Sequence, residues 1–304
     1  MYLHKDKELL EDVISATNER YGIDAAIIEK DYYVTMILKL LAKKSDIVVF
    51  KGGTSLSKCY QVINRFSEDI DITFSEHIGE ARRKKLKYSI MQPISEELEM
   101  PISNWERIES DKALNQYKFQ YEPISGSYNA AMLPEVKVET VLGSYAFPVE
   151  EIEVTSYIYQ YLKEADETEL IEEHDLKPFG MHVQSLERTY IDKVFALCDY
   201  FIQGKSKRYS RHLYDLFKMQ SRIKFDAEFC KLVAEVREHR VKMGEKVCPS
   251  AMSNVNISDM LHDICRTEFY KDDYAAITEY FMRDMISYED AIKNLKEIAE
   301  SNCF

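Results

Sequence analysis

Apolar residues recur every three or four positions along the start of the chain, which is the spacing of a helix with one buried face. This pattern predicts helices over residues 5–22 and 25–43. Within residues 46–50, the four residues after Asp46 are β-branched or aromatic and polar residues flank them, so this segment predicts a short buried strand. Further elements of the first half are predicted as a helix near 78–98 and strands near 115–121, 135–141 and 147–154.

The second half of the chain is almost wholly helical in pattern, with predicted helices near 186–203, 211–220, 226–242, 267–285 and 288–300. Between the halves, residues 164–175 carry seven acidic side chains, and Pro178 and Gly180 follow. We interpret this segment as a loop or hinge, although a helix with its acids facing solvent also fits. The sequence thus predicts an α/β (α+β) core with a mixed sheet over residues 1–175 and a mainly helical domain over residues 176–304.

The most informative stretch is residues 50–74, which opens with Gly52, Gly53 and Thr54 directly after the predicted strand. Glycines permit backbone angles and close approaches that a Cβ would block. Thr54 or Ser55 is a candidate N-cap for a helix reaching about Ile63. A phosphate at such a turn would meet free backbone N–H groups and the positive end of the helix dipole.

The same stretch ends on two aspartates, Asp69 and Asp71, which alternate with Ile70 and Ile72. A period of two places both carboxylates on one face of a strand. Neighbouring carboxylates repel unless a cation lies between them, and Mg²⁺ suits a site with few protein carboxylates. A capped helix followed by an edge strand with a polar face is the alternative. Together, the turn and the aspartates indicate a phosphate-binding site and a metal site, which are the two sites that nucleotidyl transfer requires.

The run FKGGTSLSKCY…RFSEDIDITF resembles the AbiEii/AbiGii toxin family, a branch of the nucleotidyltransferase superfamily with a DNA-polymerase-β-like core. The upstream residues 29–33 (EKDYY) fit the same family, as do segments 185–200 and 208–219. The resemblance covers roughly residues 1–220. It implies a nucleotidyltransferase core followed by a helical C-terminal domain.

The resemblance also implies roles for particular residues in the first half. The turn at Gly52, Gly53, Thr54 and Ser55 would bind the triphosphate of an NTP substrate. Asp69 and Asp71 would bind Mg²⁺, with Mn²⁺ as the alternative metal. Superfamily members usually carry a third carboxylate on a neighbouring strand, and Glu139 is the candidate because alternation places it on one face with Glu135 and Lys137. A solvated strand face is the competing interpretation there.

Two residues of the second half match the family pattern. Lys193 would neutralise phosphate charge, and Asp215 corresponds to the acidic residue of the second domain; both are predicted to be catalytic. Their alternatives are a solvated helix lysine and a surface ion pair between Arg211 and Asp215, which are four residues apart on a predicted helix.

The function that the resemblance implies is the toxin half of a toxin–antitoxin or phage-defence pair. It would transfer an NMP to an acceptor, expected to be a tRNA 3′ end, and its partner would be a cognate antitoxin protein or a gene-level repressor. Three alternatives remain open: nucleotidylation of a protein or small molecule, a catalytically silent binding module, and a partner-binding protein that uses the acidic segment and the aromatic C-terminal helices.

Composition and charge give little further information about which of these functions is correct. The net charge of −13 over 304 residues argues against nonspecific binding of duplex DNA. Positive charge is nevertheless clustered, in Arg82, Arg83, Lys84, Lys85 and Lys87 and again in Lys205, Lys207, Arg208 and Arg211. The first cluster is interpreted as a solvated helix face. The six cysteines are scattered and predict reduced thiols of a cytoplasmic protein, and no segment is apolar enough to span a membrane.

Overall fold

The computed structural model describes residues 1–65, 69–109, 112, 114–124, 133–278 and 284–304. The chain divides into two compact units, each assembled from several segments. The first unit consists of Met1–Cys59, Glu68–Tyr145 and Val149–Val183. The second unit consists of Tyr60–Ser67, Ala146–Pro148 and Gln184–Phe304. The boundary that the sequence predicts after residue 175 therefore falls inside the first unit, which continues to Val183.

Two long helices open the first unit and confirm the predicted periodicity. Helix α1 spans Lys7–Tyr21 and α2 spans Ala25–Lys44. The Asp6 side chain caps α1 by accepting a hydrogen bond from the backbone N–H of Leu9, which satisfies one of the free donors at a helix start. Most residues of the faces that this periodicity predicts to be buried are buried, and α2 is buried along most of its length.

A six-stranded sheet forms the core of this unit, in the order β3-β4-β2-β1-β6-β5. The strands are β1 Val48–Lys51, β2 Ile70–Phe74, β3 Leu114–Gln120, β4 Glu135–Tyr145, β5 Val149–Val154 and β6 Phe179–Gln184. Strand β2 pairs antiparallel with β1 and parallel with β4. The predicted mixed sheet is thereby confirmed. Strand β6 was not predicted, because Gly180 and the preceding proline indicated a hinge.

The remaining helices of the first unit are short: α3 Gly52–Lys58, α4 Glu80–Lys85, α5 Gln92–Leu98, α6 Tyr157–Glu164 and α7 Thr168–Glu173. A π-helical turn, Leu86–Met91, joins α4 to α5. The acidic segment 164–175 is therefore partly helical rather than a loop, as in the alternative interpretation. Ile171, His174 and Leu176 are buried there, and this inward-facing set fixes the backbone while the acids face solvent.

The first basic cluster is not uniformly solvated, contrary to the sequence interpretation. Lys87 is only 6% exposed. Its ammonium group donates hydrogen bonds to the backbone carbonyls of Trp105 and Ile108, each at 3.0 Å, and it lies 4.4 Å from the Trp105 ring centroid. Lys87 is a structural residue, because two carbonyls and a cation–π contact replace its hydration.

The second unit is helical among its described residues, with α8 Leu186–Ile202, α9 Arg211–Gln220, α10 Ala227–Val241, α11 Ile257–Thr267 and a last helix Tyr288–Ala299. The predicted helix over 267–285 does not begin at residue 267, because α11 ends at Thr267 and Glu268 adopts a left-handed conformation. Helical turns resume over Lys271–Thr278, and residues 279–283 lie outside the described residues. Tyr270 and Tyr274 are buried core residues. Tyr280 and Phe281 lie outside the described residues. Within the described part of the chain, none of the helices combines the length and apolarity that a membrane crossing requires.

The cysteines depart from the prediction at one pair. Cys230 on α10 and Cys303 near the C-terminus form a disulfide, with their Cα atoms 4.5 Å apart. The fold brings together two residues that are separated by 73 positions, and sequence spacing gives no sign of this. The other four cysteines are free.

Candidate active site

The turn between β1 and α3 forms one side of the candidate site. Lys51 ends β1 and is also the N-cap residue of α3, so the helix begins at Gly52 and not at the predicted Ser55. Gly52 has φ of +79°, a left-handed conformation that glycine adopts at little cost. The chain can therefore reverse within one residue of the strand end.

Thr54 and Ser55 lie inside α3 and are not N-caps, which corrects the sequence prediction. Both side chains are buried. The Thr54 hydroxyl donates a hydrogen bond to the backbone carbonyl of Asp69 at 2.6 Å, and the Ser55 hydroxyl donates to the carbonyl of Gly52 at 2.9 Å. These hydroxyls hold the turn together, because each is used by a backbone carbonyl within the protein.

Asp71 faces the glycine turn. The register pairs it with Lys51 across β1 and β2. A Cβ built on Gly52 would overlap Oδ2 of Asp71 and would lie 2.8 Å from its Cγ. No real Cβ tolerates such a contact, so the carboxylate occupies the space that the missing side chain leaves. The first glycine of the motif and the second aspartate are thus packed against each other.

Asp69 lies one residue before β2 and is held at the same turn through its backbone, by the bond from Thr54. Its Oδ1 atom is buried and has no hydrogen-bond partner. The Lys137 ammonium group lies 3.6 Å from Oδ1. A buried carboxylate oxygen without a donor is costly to desolvate, and a bound cation would remove that cost.

Glu139 is the β4 neighbour of Asp71, because the parallel register pairs these two residues. Its Oε1 accepts a hydrogen bond from the Gln116 side chain at 2.7 Å. The structure therefore places Glu139 next to Asp71 on the sheet. Its role as a metal ligand stays a prediction.

The residues fit a cation that takes few ligands from the protein. Among the described residues, no three His, Cys, Asp or Glu side chains gather into a cluster that could hold a metal. Asp69 and Asp71 supply two carboxylates, and the buried Oδ1 of Asp69 has no hydrogen-bond partner. Mg²⁺ usually takes one or two carboxylates and completes its octahedron with water and substrate phosphates. The donor set is therefore compatible with Mg²⁺ and unsuited to an all-protein cage.

The charged residues 29–31 of α2 act as supports of this unit. Asp31 accepts a hydrogen bond from the Lys58 ammonium group at 2.5 Å and another from the backbone N–H of Tyr157 at 2.9 Å. Since Lys58 is the last residue of α3, this buried ion pair fixes the far end of that helix. Within residues 29–33, Asp31 therefore makes contacts that support the fold.

Lys193 and Asp215 belong to the second unit and are in direct contact. The Lys193 ammonium group lies 2.6 Å from Oδ2 of Asp215, and Asp215 is fully buried. The two alternative interpretations are therefore wrong: Lys193 is only 6% exposed, and Asp215 does not form a surface pair with Arg211. In the folded protein, these two predicted residues therefore form an ion pair with each other.

Arg65 is the residue that the sequence analysis missed. Its guanidinium makes a bidentate contact with Asp215, with Nε 2.7 Å from Oδ1 and one terminal nitrogen 2.8 Å from Oδ2. Burial alone would raise the pKa of Asp215, but Arg65 and Lys193 outweigh it and hold that pKa below its usual range. The sequence does contain one sign of this role. Arg65 follows the apolar pair Val62 and Ile63, and a cation that is buried with such residues needs an oppositely charged partner.

His212 lies next to this charged cluster. Its Nδ1 atom is buried and has no hydrogen-bond partner. Burial, followed by the charges of Lys193 and Arg211, holds the pKa of His212 well below its usual value. The imidazole is therefore neutral at pH 7, and two buried cations share one carboxylate beside it.

The comparison with known protein families identifies one family. A family model described as the nucleotidyl transferase AbiEii toxin of a type IV toxin–antitoxin system matches residues 38–295. Among solved structures, the nucleotidyltransferase toxin MenT4 (Rv2826c) from Mycobacterium tuberculosis H37Rv is similar, with 14% sequence identity and a TM-score of 0.48. That match covers 96% of this chain and 88% of MenT4. No curated protein sequence is significantly similar to the chain.

Proposed function

Because the chain belongs to the AbiEii family of nucleotidyl transferase toxins of type IV toxin–antitoxin systems, we propose that it transfers an NMP from an NTP to an RNA 3′ end, with a tRNA as the expected acceptor. Mg²⁺, with Mn²⁺ as its alternative, is the proposed metal. The cognate antitoxin acts as a protein or as a gene-level repressor. The family match covers the turn, both aspartates, Lys193 and Asp215.

The observation that carries the proposal is the packing of Asp71 against Gly52. It brings a carboxylate to a turn that begins a helix, where the first backbone N–H groups lack helical partners. A triphosphate and its counter-ion need this combination of donors and carboxylates within a few ångströms. A surface strand with a polar face would have no need for a glycine that is in contact with an acid.

Asp69 and Asp71 would hold the ion, and Asp69 would gain a partner for its buried Oδ1. When bound, Mg²⁺ neutralises phosphate charge and lowers the pKa of the attacking hydroxyl. The backbone of Gly52 and Gly53 would hold the phosphates at the start of α3. Lys193 would neutralise phosphate charge, and Asp215 with Arg65 would keep its ammonium group in place.

The proposed reaction is a displacement at phosphorus. The 3′ oxygen of the acceptor forms a bond to the α-phosphorus while the bond from that phosphorus to the β-phosphate oxygen breaks. Pyrophosphate leaves, and the hydroxyl proton passes to solvent or to a nearby carboxylate. No covalent protein intermediate is needed, so the protein contributes positioning and charge.

The test is incubation of the purified protein with each α-³²P-labelled NTP in turn, with total tRNA, and with Mg²⁺ or Mn²⁺. Wild type should label the tRNA, and Asp71→Asn should abolish labelling. Asp166→Asn is the matched control, because it removes one exposed carboxylate from the same unit and should leave labelling unchanged. If a protein or a small molecule is labelled instead, the proposal that tRNA is the acceptor is wrong. If no fraction is labelled, the proposed nucleotidyltransferase activity is contradicted.

A further inference from the structure

A second feature of the helical unit has chemistry of its own. The loop that joins α8 to α9, residues 203–210, together with Arg211 at the start of α9, carries four cations and no acid. They are Lys205, Lys207, Arg208 and Arg211, and all four are exposed. Among the residues that the structure describes, none of these four side chains takes part in an ion pair. In a chain with a net charge of −13, these four cations form a local basic surface.

The loop is built into a fixed shape rather than left free. Asp273 is 7% exposed, and its carboxylate accepts hydrogen bonds from the backbone N–H groups of Arg208 at 2.7 Å and Ser210 at 3.1 Å. Arg208 has φ of +70°, a conformation that costs a side-chain-bearing residue free energy. A buried acid therefore maintains a strained backbone that keeps the cations on the surface.

Aromatic rings from this loop and from the two flanking helices lie close together. Tyr200, near the end of α8, and Tyr209 are stacked with ring centroids 3.4 Å apart and planes 18° apart. His212 is parallel to both, at 6.2 Å from Tyr200 and 6.4 Å from Tyr209. These nearly equal distances place His212 beside the pair, so it covers neither outer face. Both tyrosines are partly exposed.

We propose that this surface, formed by Tyr200, Tyr209 and the four cations, binds unpaired nucleotides of a single-stranded RNA. A base would stack on the tyrosine pair, and the cations would contact successive phosphates. Single-strand binding surfaces combine these two components, because every base has a flat face and every nucleotide carries a phosphate. An acidic protein would use the cations but would leave the parallel rings without a role. A lone NTP would engage too few of four spread cations.

The inference rests on the proposed function only for its choice of RNA as the ligand. It concerns binding and not transfer, so the two can fail separately. Asp71→Asn, which should lack transfer, should retain RNA binding. A protein that transfers nucleotides but binds RNA independently of this loop would overturn the inference alone.

The test is fluorescence anisotropy with the full chain and a labelled ten-nucleotide unstructured RNA, compared with an abasic oligonucleotide of the same length. The abasic strand keeps the phosphates and lacks the bases. Wild type should bind the RNA about tenfold more tightly, which corresponds to stacking of one base. Tyr209→Leu should abolish this preference, and Tyr209→Phe should retain it. A preference that survives in Tyr209→Leu overturns the role of the rings.

The cations are tested through the salt dependence. For a single strand, the logarithm of the binding constant falls by about 0.7 per neutralised phosphate for each unit of log salt concentration. The double variant Lys205→Ala, Lys207→Ala should therefore flatten the slope by about 1.4. Lys242→Ala with Lys246→Ala removes the same charge from exposed positions of the same unit and should leave the slope unchanged. Equal effects of the two double variants would show that only net charge matters, which contradicts the proposal.

Discussion

The carboxylate of Asp71 fills the space where a side chain on Gly52 would stand. The contact joins the end of one strand to the adjacent antiparallel strand through a residue that must lack a Cβ. Glycine is needed here for two independent reasons, the positive φ and the contact with the acid. Each can be measured separately.

Gly52→Ala should lower the thermal stability and abolish nucleotidyl transfer. A non-glycine residue at φ of +79° costs about 1–2 kcal/mol, and the added methyl group would displace Asp71 as well. The measurement is the melting temperature together with the rate of tRNA labelling.

Gly22→Ala is the matched control for this prediction. Gly22 has φ of +65°, lies in the same unit, and has no atom within 4 Å of an added Cβ. It should show the backbone cost alone and keep full transfer activity. Equal loss of stability in the two variants would contradict the contact between Gly52 and Asp71.

Thr54→Val should lower kcat with little change in the KM for NTP. The substitution keeps the size of the side chain but removes the donor to the backbone carbonyl of Asp69, so Asp69 would lose its fixed position. Thr54→Ser keeps the hydroxyl and should behave like wild type. If Thr54→Val raises KM and leaves kcat unchanged, the residue contacts the nucleotide instead.

Glu139→Gln should raise the Mg²⁺ concentration needed for half-maximal transfer several-fold and leave the fold intact. An amide is a weaker ligand than a carboxylate, while its oxygen can still accept the hydrogen bond from Gln116. The measurement is a Mg²⁺ titration of the transfer rate. An unchanged midpoint would show that Glu139 does not bind the metal and only accepts the hydrogen bond from Gln116.

Asp215→Asn should lower the free energy of unfolding by about 3 kcal/mol or more, because it leaves two buried cations without their counter-ion. Arg65→Met should cost less, since Lys193 and Asp215 would still pair. Urea denaturation measures both. Asp263→Asn is the control; Asp263 forms an exposed ion pair with Arg266 and should be nearly neutral. Comparable losses at Asp215 and Asp263 would contradict the buried network.

The free energy of unfolding should fall as the pH drops from 6.5 towards 4, in part because of His4. Its Nε2 lies 3.0 Å from the backbone carbonyl of Leu98 and its Nδ1 lies 2.8 Å from the Tyr32 hydroxyl. A carbonyl only accepts, so Nε2 carries the proton and Nδ1 accepts from Tyr32. Burial, then the charge of Lys5, lowers the pKa of His4 to about 4.

The sign follows from proton uptake. Between pH 6.5 and 4 the unfolded chain protonates His4 and the folded protein does not, so acid favours unfolding. One such group contributes at most about 1.4 kcal/mol per pH unit. His4→Gln should flatten the dependence in urea denaturation series at pH 7, 6, 5 and 4.5. A variant with the wild-type slope would contradict the neutral, buried state of His4.

Local patterns were sufficient to predict most elements of the fold. The stripes of α1 and α2 and the alternation in β2, β3 and β4 determine burial within a few residues of chain, so the pattern is visible without tertiary information. Strand β6 and the helix break after Thr267 were missed. A strand that contains a glycine after a proline, and a helix stop with a non-glycine residue in a left-handed conformation, are stabilised by packing partners that are distant in sequence.

For the candidate site, the sequence alone was sufficient to predict which side chains lie on the same face of one strand. The alternation predicts that Asp69 and Asp71 share a face, and Gly52 with Gly53 indicates a turn after a strand, since these are patterns of neighbouring residues. Only the tertiary structure decided which groups meet across the chain. It packed Asp71 on Gly52, paired Asp71 with Glu139, and gave Asp215 a second cation in Arg65. Such contacts depend on sheet order and on charges buried at long range, which no local period encodes.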